Sequence, residues 1–371
     1  MNKENQEESE NEELEEFNIS PNFEYEEDII DYAENTFALI DSFEAFKSIK
    51  DGKSYIVYQN KENKSLEILK ILKNKYKLVA TIEGHKAYIT SIKYFLNESK
   101  KKEYLISSDY NGYIIITNFT DISEEYIPKC AFKTEFENGQ ITCCLMLFKL
   151  NSNILSDTGN GLIFISSRNS KEEDKISLLS YVLGKDDKGI FKADLINVSN
   201  KTSYILYWDN KKLKKDYLID IGHKKTVIIG IVDNEDYAIF INELEAYHHC
   251  GFIYNDEMNN NDLLYITSTQ SYVFVYDLYE KNLIQKIKTS SVLDRLYSII
   301  QWNKNYIIVS NSTKSGINVI DIKQGKFVGT NFIAHEDDFR CVKKIKHPKF
   351  GYCILTGGDD YTIKLYKPRS I

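Results

Sequence analysis

Short runs in which apolar and polar residues alternate recur along the chain, separated by clusters of Gly, Asn, Asp and Lys. Alternation at period two predicts strands, and the spacers are turn formers. The clearest unit is Ala334–Lys367, with an Ala-His pair, an apolar run, a Thr-Gly-Gly-Asp-Asp turn and a second alternating run. It predicts three antiparallel strands. A second copy starts at Gly84-His85 and runs through Tyr88–Phe95, Tyr104–Ser108, Gly112–Thr117 and Cys130–Phe136, with Asn111-Gly112 as a hairpin turn.

The remaining runs fall into similar units. Phe37–Phe43, Ser54–Tyr58, Leu66–Leu72 and Lys77–Ile82 make a first unit. Gln140–Phe148, Asn153–Ser156, Leu162–Ser166 and Ile176–Leu183 make a third, and Ala193–Val198, Ser203–Trp208, Asp216–Ile221 and Thr226–Ile231 a divergent fourth. A fifth begins near Tyr237, is irregular from His248 to Asn261, and continues with Leu263–Ser268, Tyr272–Tyr276 and Leu283–Ile287; Asn255–Asn261 within it reads as an exposed loop. The sixth is Arg295–Trp302, Tyr306–Ser310, Gly316–Ile320 and Lys326–Phe332. Ser107 precedes Asn111 by four residues, as Thr356 precedes Asp360 and Ser156 precedes Asn160. Three matched offsets mark a repeat.

These residues resemble the WD-repeat β-propeller family. Tyr276-Asp277 and Ile320-Asp321 stand where that family has its Trp-Asp dipeptide, without the Trp. The resemblance implies an all-β fold, a seven-bladed propeller of four-stranded antiparallel blades; at roughly 40–50 residues per blade this uses nearly all of the 371-residue chain. The last unit stops at its third strand. A segment within residues 21–35 is the candidate for the missing one, closing the ring by pairing an N-terminal strand with the last blade.

Composition refines this picture. Tyr (27) and Phe (19) are frequent and Pro is scarce (4), which suits many short strands. Residues 1–35 carry fourteen acidic residues and one Lys, a net of −13, while the whole chain is −8, so the rest is +5. Residues 1–20 are expected to be a disordered acidic tail and 21–371 the propeller. The six cysteines show no paired C-x-x-C spacing, the N-terminus is acidic, and no apolar run approaches the ~20 residues of a membrane helix. The expectation is a soluble cytoplasmic protein, with the nucleus left open.

In the family, a buried hydrogen-bond network ties the loop entering a blade to the turn within it. The resemblance assigns His335, Thr356, Asp360 and Tyr366 to that network in the last blade, and His85, Ser107 and Asn111 in the second, where Thr117 replaces the Trp. A His, a hydroxyl and an acid also suggest a catalytic triad, but acyl transfer needs an exposed nucleophile and oxyanion donors. The structural role is therefore preferred. His248-His249-Cys250 has metal-ligand types, yet adjacent strand residues face opposite ways, and no metal or cofactor is expected.

The family's channel mouth is lined by residues flanking each innermost strand. By resemblance these are Tyr88, Thr90, Tyr110, Gln140, Thr142, Arg295, Tyr297, Asp338, Arg340 and Asp359. Two of the four arginines fall there, which suggests an acidic or phosphorylated peptide held by Arg295 and Arg340. The competing reading pairs Arg340 with Asp338 or Asp359 and Arg295 with Asp294. The expected function is a non-enzymatic interaction scaffold, monomeric within a larger assembly. Alternatives are a propeller hydrolase with its site at the channel mouth, and a nucleic-acid or lipid-headgroup binder through Lys100–Lys102 and Lys211–Lys215.

Overall fold

The computed structural model describes residues 25–29, 43–60, 64–98, 100–123, 126–133, 140–147, 162–168, 174–182, 188–198, 202–222, 225–230, 237–241, 248–257, 259–289, 295–312, 316–333 and 335–368. For 25–29, 132, 140–147, 162–168, 174–182, 188–198, 202, 225, 237–241, 330–333 and 368 it describes the backbone alone. The expected disordered tail, Asn153–Ser156, the Ser156/Asn160 pair and Asp294 lie outside the described residues.

The described strands are all antiparallel and build a β-propeller. After β1 (Tyr25–Ile29), the first sheet holds β2 (Phe43–Lys47), β3 (Ser54–Gln59), β4 (Leu66–Ile71) and β5 (Tyr76–Ile82). The second holds β6 (Ile89–Asn97), β7 (Lys102–Asp109), β8 (Tyr113–Asn118) and β9 (Lys129–Lys133). The third is β10 (Gln140–Leu147), β11 (Leu162–Arg168), β12 (Asp174–Val182) and β13 (Lys188–Val198), and the fourth β14 (Thr202–Asn210), β15 (Lys215–Gly222), β16 (Lys225–Gly230) and β17 (Tyr237–Ile241). The fifth is β18 (His248–Asp256), β19 (Asn261–Ser268), β20 (Tyr272–Asp277) and β21 (Asn282–Lys288), and the sixth β22 (Ile299–Gln301), β23 (Tyr306–Asn311), β24 (Gly316–Asp321) and β25 (Lys326–Ile333). The last contains β26 (Phe339–His347), β27 (Gly351–Gly358) and β28 (Ile363–Pro368), with β1 antiparallel to β28 from Tyr25↔Pro368 to Ile29↔Lys364. The first strands touch in cyclic order, β2, β6, β10, β14, β18, β22, β26 and back to β2.

Several boundaries differ from the sequence reading. The first strand of the first sheet is Phe43–Lys47, sharing only Phe43 with the expected Phe37–Phe43. In the third sheet Leu162–Arg168 is the second strand, where the sequence reading had Leu162–Ser166 as the third. Ala193–Val198 then belongs to the fourth strand of the third sheet, and Tyr237 begins the last strand of the fourth sheet. The expected irregular stretch at His248 is the strand β18. Alternation identifies a strand but carries no ordinal, and without a Gly-His landmark the count slipped by one.

The core lies between neighbouring sheets. Phe43, Ile56 and Leu69 of the first sheet pack on Cys341, Leu355 and Leu365 of the last, all fully buried or nearly so. Trp302, Ile308 and Val319 meet Phe339, Ile354 and Tyr366 in the same way. Burying such side chains contributes about 1.5–3 kcal/mol each. Polar contacts set the register. Buried Glu103 accepts from the Ser48 hydroxyl at 2.8 Å, the Ile49 N–H at 2.9 Å and the Tyr94 hydroxyl at 2.8 Å, clamping the β2–β3 hairpin to the second sheet. Between the last and first sheets the Ser54 hydroxyl donates to the Lys346 carbonyl at 2.5 Å.

Candidate functional site: the channel mouth

Two histidine networks hold the loops that enter the second and last sheets. His335 Nε2 lies 2.8 Å from Thr356 Oγ1, and its Nδ1 lies 2.9 Å from Asp360 Oδ1. Asp360 also accepts from the Thr362 hydroxyl at 2.8 Å and the Glu336 N–H at 3.2 Å. Tyr366 is buried in the apolar cluster with Trp302 and Phe339. In the second sheet His85 Nε2 is 2.7 Å from Ser107 Oγ, but Nδ1 faces Asp109 Oδ2 at 3.3 Å. Asp109 therefore stands where Asn111 was expected. Its Oδ2 accepts from the Lys86 N–H at 2.9 Å, and its Oδ1 accepts from the N–H groups of Asn111 and Tyr113 at 2.9 and 3.0 Å. A carboxylate accepts from all of these at once, whereas the Asn111 side chain is exposed in the turn.

Burial works to raise both carboxyl groups. The hydrogen bonds from His85, Lys86 and Tyr113 outweigh it at Asp109, and those from His335 and Thr362 at Asp360, so both titrate below the ordinary carboxylate range. Ser107 and Thr356 are buried, which leaves neither hydroxyl open to a substrate. The aspartates at the dipeptide positions also act locally. Asp277 accepts from the Tyr279 and Glu280 N–H groups at 2.9 and 2.8 Å, and Asp321 from the Gln324 N–H at 2.9 Å.

The rim is shaped by a repeated backbone device. The innermost strand has a register irregularity between Ile89 and Ser91, Ile141 and Cys143, Thr202 and Tyr204, His248 and Gly251, and Phe339 and Cys341. Such bulges re-aim the extra residue. Thr90 and Arg340 are equivalent extra residues with different outcomes. Thr90 is short and buried, its hydroxyl donating to the Ser108 carbonyl at 3.2 Å, so it is not an open rim residue as expected. Arg340 is long enough to reach out. Gln140 and Thr142 lie in β10, and Thr142 is the extra residue there; their side chains lie outside the described residues.

Arg340 is the centre of a stack across three sheets. Its guanidinium lies 4.3 Å from the Tyr297 ring centroid, and the His249 ring packs on Tyr297 at 4.8 Å. Arg340 Nε donates to Asp359 Oδ2 at 2.9 Å, and Nη2 reaches Asp338 Oδ2 at 3.1 Å. Burial opposes the charge, but the Asp359 bond prevails and holds the Arg340 pKa above its ordinary value. Two carboxylates thus neutralise Arg340, as in the competing reading of the sequence that pairs it with Asp338 or Asp359. Arg295 is exposed, its Nη1 donating to the Tyr297 hydroxyl at 3.4 Å. Sequence reasoning missed His249 in this stack because it read the His-His pair as irregular chain; His248 instead faces Thr226 and Phe274.

A shared backbone bond relates the rim positions. The Tyr110 N–H donates to the Tyr88 carbonyl, as Asp359 does to Asp338, each at 2.9 Å, and Ser312 to Arg295 at 3.1 Å. Tyr88 and Tyr110 remain 45% and 54% exposed. One turn geometry thus presents a tyrosine pair on the second sheet and an acid pair on the last.

This architecture defines the chain as a β-propeller. The family model of the WD domain, G-beta repeat, matches residues 325–367, which span β25 through β28. Among solved structures the chain is similar to BBS1N in complex with ARL6DN. The lead-soaked form matches with a TM-score of 0.62 at 13% identity, over 94% of this chain and 98% of that one. The mercury-soaked form has the same TM-score and coverage at 12% identity. A search of curated proteins finds no match.

Proposed function

We propose that this protein is a non-catalytic interaction platform in an intracellular assembly, gripping a protein or peptide partner at the channel mouth. The observation that carries the reading is the exposed Tyr88–Tyr110 pair, held side by side by a backbone bond on a rim that also offers exposed Arg295. Large exposed aromatics and arginine are the residue types that dominate interface energetics. A propeller of similar fold, BBS1N, is in complex with ARL6DN, which supports a protein partner.

In this reading the seven described sheets are seven blades of one ring, fastened where β1 pairs with β28. The Arg340 stack acts as a rigid floor, because its guanidinium is already paired with Asp338 and Asp359. A partner's acidic side chain would meet Arg295, and its apolar or aromatic groups the two tyrosines. Cross-linking of the captured complex tests the placement: cross-links should concentrate near Tyr88, Tyr110 and Arg295. Cross-links confined to the outer strands would reject it.

A further inference from the structure

A second charged surface lies at the opposite end of the blades, between the first and last sheets. There the β2–β3 and β26–β27 hairpins enclose a cleft of about 280 Å³. Lys47, Lys53, Lys346 and Lys349 line it together with His347, and none of the described lining residues is acidic. Asp51, in the turn between β2 and β3, is engaged by Lys70 at 2.5 Å and the Tyr55 hydroxyl at 2.8 Å. A cleft whose described lining holds four lysines and no acid is complementary to an anionic occupant.

Strand register shows where the chain's own anionic segment joins the fold. His347 pairs with Gly351 at the cleft, and Ile354 pairs with Tyr366, so Pro368 lies at the cleft end of β28. Tyr25 pairs with Pro368. Tyr25, the first residue of β1, therefore lies at the cleft end, whereas Asp359 and Arg340 lie at the other end of the same blade. Eight glutamates fall between Glu4 and Glu16. From β1 to the innermost hairpin is three strand spacings, about 14 Å. The nine residues from Glu16 to Tyr25 span up to about 30 Å.

We propose that the acidic segment Glu4–Glu16 docks in the lysine cleft between the first and last sheets. The short tether gives the segment a millimolar-range effective concentration there, and the attraction weakens as salt screens it. This interaction is independent of the rim reading, since it uses neither the same residues nor the same face.

Zero-length carbodiimide cross-linking of the full chain, as an equal mixture of ¹⁴N and ¹⁵N protein, tests it. The expected result is same-copy cross-links from Glu4–Glu16 to Lys47, Lys53, Lys346 and Lys349, about tenfold above those to Lys100–Lys102, and reduced in high salt. Even distribution over surface lysines, cross-links to the rim side, or cross-links only between copies would overturn the proposal. A second readout is cleavage of the segment by a glutamate-specific protease. A variant with all four cleft lysines changed to Gln, folded by circular dichroism, should be cut about tenfold faster than wild type at low salt; equal rates would also overturn it.

Discussion

The two histidine networks solve one problem with the acid in two places. Ser107 and Thr356 are equivalent, so Asp109 matches Gly358 in the last sheet and Asp360 matches Asn111 in the second. Asp109 works from the strand end and gathers four backbone N–H groups as well as His85. Asp360 works from the turn, and the position Asp109 would occupy must be empty: a Cβ on Gly358 would lie 2.6 Å from the His335 ring. A repeat thus conserves the contact its loop requires, not the position that supplies it.

Breaking these contacts should rank them. Asp109→Ala strands the most buried partners and should cost about 3–5 kcal/mol in chemical denaturation. Asp360→Ala should cost less, about 2–3 kcal/mol, because part of its surroundings reaches solvent. Gly358→Ala should cost about 1–3 kcal/mol through overlap with the imidazole. Asn111→Ala should lie within about 0.5 kcal/mol of wild type, since its side chain is exposed and its backbone carries the bond. A large loss at Asn111 with a small one at Asp109 would reverse the comparison.

Acid titration sharpens it further. Both carboxyls have folded pKa values below the ordinary range, so their stabilisation is complete above about pH 5 and is lost as pH falls below about 4. Asp360 is the more strongly depressed. Asp360→Asn should therefore flatten the acid limb of the stability curve, measured by denaturant midpoint from pH 5 downward, more than Asp109→Asn does.

Much of this was legible in the residues. The Gly-His and Ala-His landmarks with their hairpin turns located the second and last sheets, and the alternating runs after Asn261 located most of the fifth and sixth. The middle of the chain lacks such landmarks, so its strands were found but misassigned between sheets. Asp109 escaped notice because a fixed offset was followed where chemistry required a carboxylate. Of the residues expected at the rim, Tyr88, Tyr110 and Arg295 are exposed, and only the bulge and side-chain length distinguish buried Thr90 from extended Arg340. The His249–Tyr297–Arg340 stack joins residues far apart in sequence, and no local pattern announces it.

The central claim is that the histidine networks maintain the fold while partners are met at the rim. The direct measurement is quantitative co-purification with the full chain carrying Tyr88→Ala, Tyr110→Ala and Arg295→Glu together, alongside its unfolding midpoint. The account predicts a wild-type midpoint, within about 1 kcal/mol, and loss of most of the bound partner. Undiminished partner recovery by that folded variant would contradict it.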